Sequence, residues 1–295
     1  MTPILDVRNL KQHFVINRNL TIPAVDDVTF SVERGEVFGI VGETGSGKST
    51  IARSVLGIYP ITSGEIYFKG NEISGKNVSK DIRKDAACNM QIIFQDSAAA
   101  LNPSMRVEKI IAEPMEIQKV YQNKDEMEAR ISEVLKQVGL SELHRKKYPS
   151  ELSGGMRQRV AIARSIAINP DLIIADEPIA SLDVSIQAQI VTLFQHLQKE
   201  HNFSFIFIAH DLSMVKFLSD RILVMLKGKA VELGRTEELF ANPIHPYTKA
   251  LLSSAPVPDP DYEKSRVRDE YDTSKFTGRG VFTEVSPGHY VLVEE

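Results

Sequence analysis

Residues 42 to 49 read GETGSGKS and match G-x-x-x-x-G-K-[ST] in full. The octet lies between an apolar run, EVFGIV, and a helical pattern, and this context constrains the chain more than any other feature in it. Gly42, Gly45 and Gly47 permit backbone conformations that turn N–H groups inward around phosphates. Within the cradle formed by Gly42, Glu43, Thr44, Gly45, Ser46, Gly47, Lys48, Ser49 and Thr50, Lys48 is placed to reach the β and γ phosphates of a nucleotide. The Ser49 hydroxyl is placed to coordinate Mg²⁺.

The rest of the chain supports such a loop with a mostly parallel sheet. EVFGIV, QIIF, LIIAD, FSFIFIA and RILVML alternate with helical stretches such as QAQIVTLFQHLQKEH. Runs as uniformly apolar as LIIA imply strands buried on both faces. Short alternating strands before Gly42 (LDVRNL, HFVI, VTFSVE) suit an antiparallel layer. Between Val107 and Ala167 the strand signals vanish, and ISEVLKQVGL places Ile131, Val134, Leu135 and Val138 at helical spacing with Gly139 as its C-cap. From Pro256 the chain becomes proline-rich and charged and reads as a linker, and a final VFTEVSPGHYVLVEE regains β character.

Two further stretches extend the phosphate chemistry. DLIIADEP ends an apolar strand on Asp176, suited to hold Mg²⁺ through its water shell, with Glu177 next to it as a carboxylate able to polarise an attacking water. LSGGMRQR sets Ser153, Gly154 and Gly155 before a basic helix whose free N–H groups would attract an anion. A chain that already cradles its own nucleotide has no use for a second cap of this kind, unless the cap serves a nucleotide held by another polypeptide. His210, closing FSFIFIAH, and Gln95, in IIFQD, have roles that rest on this company and not on their own pattern.

Composition narrows the classes. The chain has 295 residues, 42% of them hydrophobic and 25% charged, as in an ordinary globular protein. A formal net charge of -4 offers no global field for nucleic acid. Cys88, the one cysteine, excludes an internal disulfide and a thiolate cluster. Neither a secretory signal nor an apolar run long enough to cross a bilayer is evident.

GETGSGKS, the glutamine of IIFQD, LSGGMRQR, LIIADEP, ASLD at 180 to 183 and the histidine of IAHD, in this order and spacing, resemble the nucleotide-binding subunit of an ABC transporter over residues 4 to about 255. The resemblance implies an α/β P-loop NTPase (RecA-like) core with an antiparallel β subdomain and an α-helical subdomain inserted at about 96–167. The cassette would span 1–255, and residues 256–295 would form a C-terminal extension. It also implies that Phe14 stacks on adenine and that Glu177, His210 and Gln95 are catalytic, with Ser49, Gln95 and Asp176 serving Mg²⁺. Ser153, Gly154 and Gly155 would contact the γ phosphate of a partner's ATP, and Asp183 would connect the two sites. Met156 stands where that family usually has glutamine, and Ala180 where serine is common; the first implies tuning and not loss.

A narrower likeness lies in NPIHPYTKALLSSAPVPDP at 242 to 260, with FQDSAAALNP and EPIASLDVSIQAQ, to the ATPases of oligopeptide and dipeptide importers, a group that includes nickel and oligosaccharide systems. The ending SPGHYVLVEE fits Gram-positive variants. The cysteine cluster that holds an iron–sulfur centre in many relatives is absent, so none is expected. The implied assembly is a paralogous second ATPase, two permeases and an extracytoplasmic binding protein at the cytoplasmic membrane face, without nucleic acid. A soluble family member in DNA repair or translation would need long coiled coils or two cassettes in one chain, and neither is present. A subunit with a dead site is disfavoured by intact Glu177 and His210.

Overall fold

The computed structural model describes residues 2–17, 20–75, 77–254 and 269–294, apart from the side chains of Ser97, Ala98 and Ser213. Of the proposed linker, which runs from Pro256 to Gly280, residues 256–268 lie outside the described residues; the remainder is packed rather than free, with a 3-10 turn at Thr273–Lys275, Phe276 buried and Tyr271 against His245 and Tyr247. The chain forms two compact units, Met1–Lys76 with Phe207–Glu295, and Asn77–Ile206.

The first unit begins with β1 (Leu5–Asn17) and β2 (Leu20–Val32), an antiparallel pair. LDVRNL and HFVI, separate strands in the sequence reading, belong to one long β1 whose register shifts between Val7 and Leu10 and again on to Gln12 and His13. These bulges let one strand change which side chains it buries without ending. β3 (Val37–Val41) is buried at all five positions, as its unbroken apolar run requires. α1 (Lys48–Val55) follows the glycine loop, and β4 (Ser63–Phe68) adds to the antiparallel layer by pairing with β1, with the two-residue β5 (Asn71–Glu72) on its far side.

The second unit contains α2 (Lys80–Asn89), β6 (Met90–Ile93), α3 (Ser97–Ala100), α4 (Val107–Gln118), α5 (Lys124–Gln137), α6 (Gly154–Ile166), β7 (Leu172–Asp176) and α7 (Val184–His201). β6 and β7 pair in parallel from Met90↔Leu172 to Ile93↔Ala175. The helices between them realise the strand-free stretch. α5 starts because the Asn123 side chain accepts the Glu126 N–H at 2.8 Å. It stops because Gly139 adopts φ 72°, a left-handed turn that lets Leu140 N–H reach Leu135 O at 2.8 Å. The buried Arg130 guanidinium of α5 donates to the carbonyls of Ile166 and Ala167 and to Asn169 Oδ1, and so anchors the end of α6.

β8 (Ser204–Ala209), buried throughout, runs across the boundary in the chain, after which α8 (Leu212–Leu218), β9 (Arg221–Leu226) and β10 (Lys229–Arg235) return to the first unit. β9 pairs in parallel with β3 and antiparallel with β10. After α9 (Thr236–Ala241) and α10 (Pro246–Ser254), the hairpin of β11 (Gly280–Ser286) and β12 (His289–Glu294) joins β10 through Glu232↔Val291 and Leu233↔Tyr290. The β character of the last residues thus extends the sheet of this unit. Stacked Phe30 and Phe38 rings, 5.2 Å apart, fill its interior.

Candidate functional site

In the first unit, β3 ends at Val41 and α1 begins at Lys48, so GETGSGKS is the connecting turn. Glycine is required at both ends of it by close approach. A Cβ on Gly42 would lie 2.1 Å from Met225 O, and one on Gly47, at φ 105°, would lie 2.4 Å from Ala24 O. Lys48 is buried, and its Nζ donates to Gly42 O at 2.7 Å and Glu43 O at 2.8 Å. The loop is thereby folded around its own lysine. The Ser46 hydroxyl is buried with no hydrogen-bond partner among the described residues. An orphaned buried hydroxyl is costly unless another group satisfies it, and this one lies in the loop that the sequence reads as a phosphate cradle.

Phe14 lies on β1 with its ring edge-on to Tyr59, centroids 5.3 Å apart, and Arg53 stands 5.9 Å over Tyr59. Tyr59 carries no local sequence signal, since it sits in an irregular stretch with no periodicity. His210 follows β8 and is exposed.

In the second unit, β7 delivers Asp176 buried at its end, and the next residue, Glu177, adopts φ 47°. A left-handed backbone is uncommon for a residue that is not glycine, and such strain collects at functional positions. Gln95 Nε2 donates to Glu177 Oε2 at 3.2 Å, so the two residues meet across 82 positions of sequence.

Ser153 is the N-cap of α6, its hydroxyl accepting the Met156 N–H at 3.3 Å. A hydroxyl that accepts keeps its own proton to donate, and the first-turn N–H groups of Gly154 and Gly155 have no intrahelical carbonyl. The glycines also have a packing role: a Cβ on Gly155 would stand 2.8 Å from Ile186 Cγ2 of α7, and one on Gly154 would stand 3.6 Å from Leu182. The serine–glycine–glycine turn and the ASLD loop are therefore neighbours within this unit. Asp183 is the N-cap residue of α7, without a side-chain cap bond. Gln187 braces the loop before it by donating to Ile179 O at 3.1 Å and Leu182 O at 3.0 Å, a role with no local sequence signal.

An ABC transporter family model matches residues 25–180, and a second, the C-terminal region of oligopeptide/dipeptide transporters, matches 231–279. The chain belongs to the ABC transporter family. The oligopeptide transport ATP-binding protein OppF of Bacillus subtilis is 51% identical to this cassette over 99% of the chain and 96% of the relative. The dipeptide transport ATP-binding protein DppF of Lactococcus lactis is 45% identical over 99% and 94%. Among solved structures, a dimeric bacterial ABC transporter cassette superposes with TM-score 0.70 at 27% identity, covering 79% of this chain and 98% of that one. The cassette cbiO1 of Clostridium perfringens gives 0.71 at 30%, covering 82% and 92%. The cassette is a P-loop ATPase fold with an antiparallel layer and a helical region, as its sequence implies.

Proposed function

We propose that this cassette hydrolyses ATP to drive a membrane importer of oligopeptides or dipeptides. The hydrolytic part rests above all on the Gln95–Glu177 hydrogen bond beside a buried Asp176. A strained, hydrogen-bonded carboxylate at the end of an apolar strand is suited to orient and activate a water. The cargo rests on the relatives named above and on the match at 231–279.

In this reading Gly42 to Thr50 and Lys48 hold the phosphates, Phe14 packs on the base, and His210 contacts the γ phosphate. The oxygen donors of Ser49, Asp176 and Gln95 form a hard set appropriate to Mg²⁺, which keeps several waters and needs few protein ligands. When bound, Mg²⁺ supplies charge neutralisation on the phosphate oxygens. Among the described residues no group of three or more His, Cys, Asp or Glu is arranged to hold a metal alone.

The Ser153 turn serves the ATP of a second, paralogous cassette, and that cassette's turn serves the ATP held here, with Asp183 between the two. Two permeases and an extracytoplasmic binding protein complete the assembly at the cytoplasmic membrane face. No helix among the described residues is long and apolar enough to cross a membrane.

Co-purification of the complex through this subunit, followed by ATPase assays with a dipeptide, an oligopeptide, an oligosaccharide or a nickel chelate, tests the cargo. Stimulation by peptide alone is expected; stimulation by another ligand reassigns it. Ser153→Arg in the same complex should abolish ATP-driven closure of the cassettes, and unchanged closure would refute the shared site.

A further inference from the structure

Tyr247 lies in the first turn of α10 and is buried, and its phenol oxygen accepts the backbone N–H of Glu43 at 3.0 Å across 204 positions of sequence. Glu43 is the first residue after Gly42 in the phosphate loop, and its carbonyl accepts from Lys48 Nζ at 2.8 Å. The backbone of one loop residue is thus fastened at both of its polar groups, one to the loop's own lysine and one to an element from the far end of the chain. We propose that Tyr247 is a positioning residue of the phosphate loop, holding the Glu43 peptide so that the loop is ordered before nucleotide arrives. The inference rests on the reading that this loop binds ATP.

The anchor itself is firmly held. Tyr247 N–H donates to His245 Nδ1 at 3.1 Å, and the Tyr247 ring lies edge-on to Tyr271 at 5.8 Å. The His245 ring packs against Tyr271 and Phe276, 5.9 and 6.4 Å away. The N–H groups of Ile244 and His245 both donate to the carboxylate of Glu232, which is fully buried in β10. The same Oε1 that accepts the Ile244 N–H lies 2.8 Å from His289 Nε2 of β12, and His289 Nδ1 lies 3.2 Å from Glu238. A run of direct contacts therefore leads from the terminal hairpin to the phosphate loop, all within the first unit. This gives the segment matched by the oligopeptide/dipeptide C-terminal family a physical task at the nucleotide.

Order supplied in advance reduces what binding must spend on freezing a glycine-rich loop. The phenol takes up one N–H at the entrance of the loop, as the Glu43 carbonyl takes up the Ser46 N–H at 3.1 Å further in. Burial pushes the Tyr247 phenol up to about 12, so its oxygen stays a neutral acceptor throughout the working range.

Tyr247→Phe deletes the phenol oxygen and keeps the ring. In the purified cassette, the ATP dissociation constant should rise about three- to ten-fold, the range expected for one such hydrogen bond. The Glu43 amide should exchange with solvent faster, while Tm stays close to wild type; in the assembled transporter kcat at saturating ATP should stay within about two-fold. Tyr271→Phe removes a phenol from the same ring cluster but not from the loop, and should leave ATP affinity unchanged. Unaltered ATP affinity in Tyr247→Phe overturns the proposal, as does an equal loss in Tyr271→Phe, which marks a general disturbance of packing. Wild-type cassette that does not bind ATP, or binds it equally well as Lys48→Ala, instead defeats the underlying reading of the loop.

Discussion

The Gln95 carboxamide donates to the Glu177 carboxylate at 3.2 Å, with the Glu177 backbone held at φ 47°. A residue from the end of β6 and one from the end of β7 are brought together by the parallel pairing of those strands, which sets Ile93 beside Ala175. The sheet thus does the positioning, and the amide adds a restraint on the carboxylate. In the proposed function, hydrolysis at this pair would depend on orientation, since phosphoryl transfer asks little covalent chemistry of the protein.

Replacing Gln95 by Ala removes that restraint without touching the loop around Lys48. Steady-state turnover should fall about 10- to 100-fold, with ATP affinity changed by less than about three-fold. Radiolabelled phosphate release and equilibrium ATP binding on the same preparation check both halves.

Gly155 has a packing reason to be glycine that is separable from any phosphate contact. Gly155→Ala drives a Cβ to within 2.8 Å of Ile186 Cγ2 and should destabilise the cassette by about 1–3 kcal/mol. Ile186→Ala removes that methyl, so the double variant should recover part of the loss as a favourable coupling in a denaturation cycle. Additive effects would show that the two side chains do not compete for the space.

His245 makes stability sensitive to acid. Burial depresses its pKa, and the pull of Glu232 and Glu294 in the opposite direction does not overcome this; its Nε2 has no hydrogen-bond partner among the described residues. The unfolded chain therefore binds a proton more readily than the folded one, starting near the ordinary value of 6.5. The contribution is complete above that pH and is lost as pH falls toward the lower folded value. Tm should drop less between pH 7.5 and 5.5 in His245→Gln than in wild type; parallel curves would remove His245 from the account.

Sequence alone carries those parts whose chemistry is written in consecutive residues. GETGSGKS, LIIAD with Glu177, and the serine–glycine–glycine turn each lie where a local pattern of strand, turn and helix places them. The end of α5 at Gly139 was legible for the same reason, a left-handed cap having a residue type of its own. Pairing is different. Nothing in Ser63–Phe68 marks it as a partner of β1, and nothing in the last residues marks β12 as a partner of β10, because long-range registers leave no local trace. Tyr247 is the sharpest case: its pattern is that of an ordinary buried aromatic, and only the fold brings its oxygen to Glu43.

The most direct test of the account is single-turnover hydrolysis by the assembled transporter in which the partner cassette is silenced at its own catalytic carboxylate. Glu177→Gln in this chain should bind ATP within a few-fold of wild type and lose about 10²- to 10⁴-fold in hydrolysis, the span of general-base contributions. Hydrolysis persisting at the wild-type rate would contradict it.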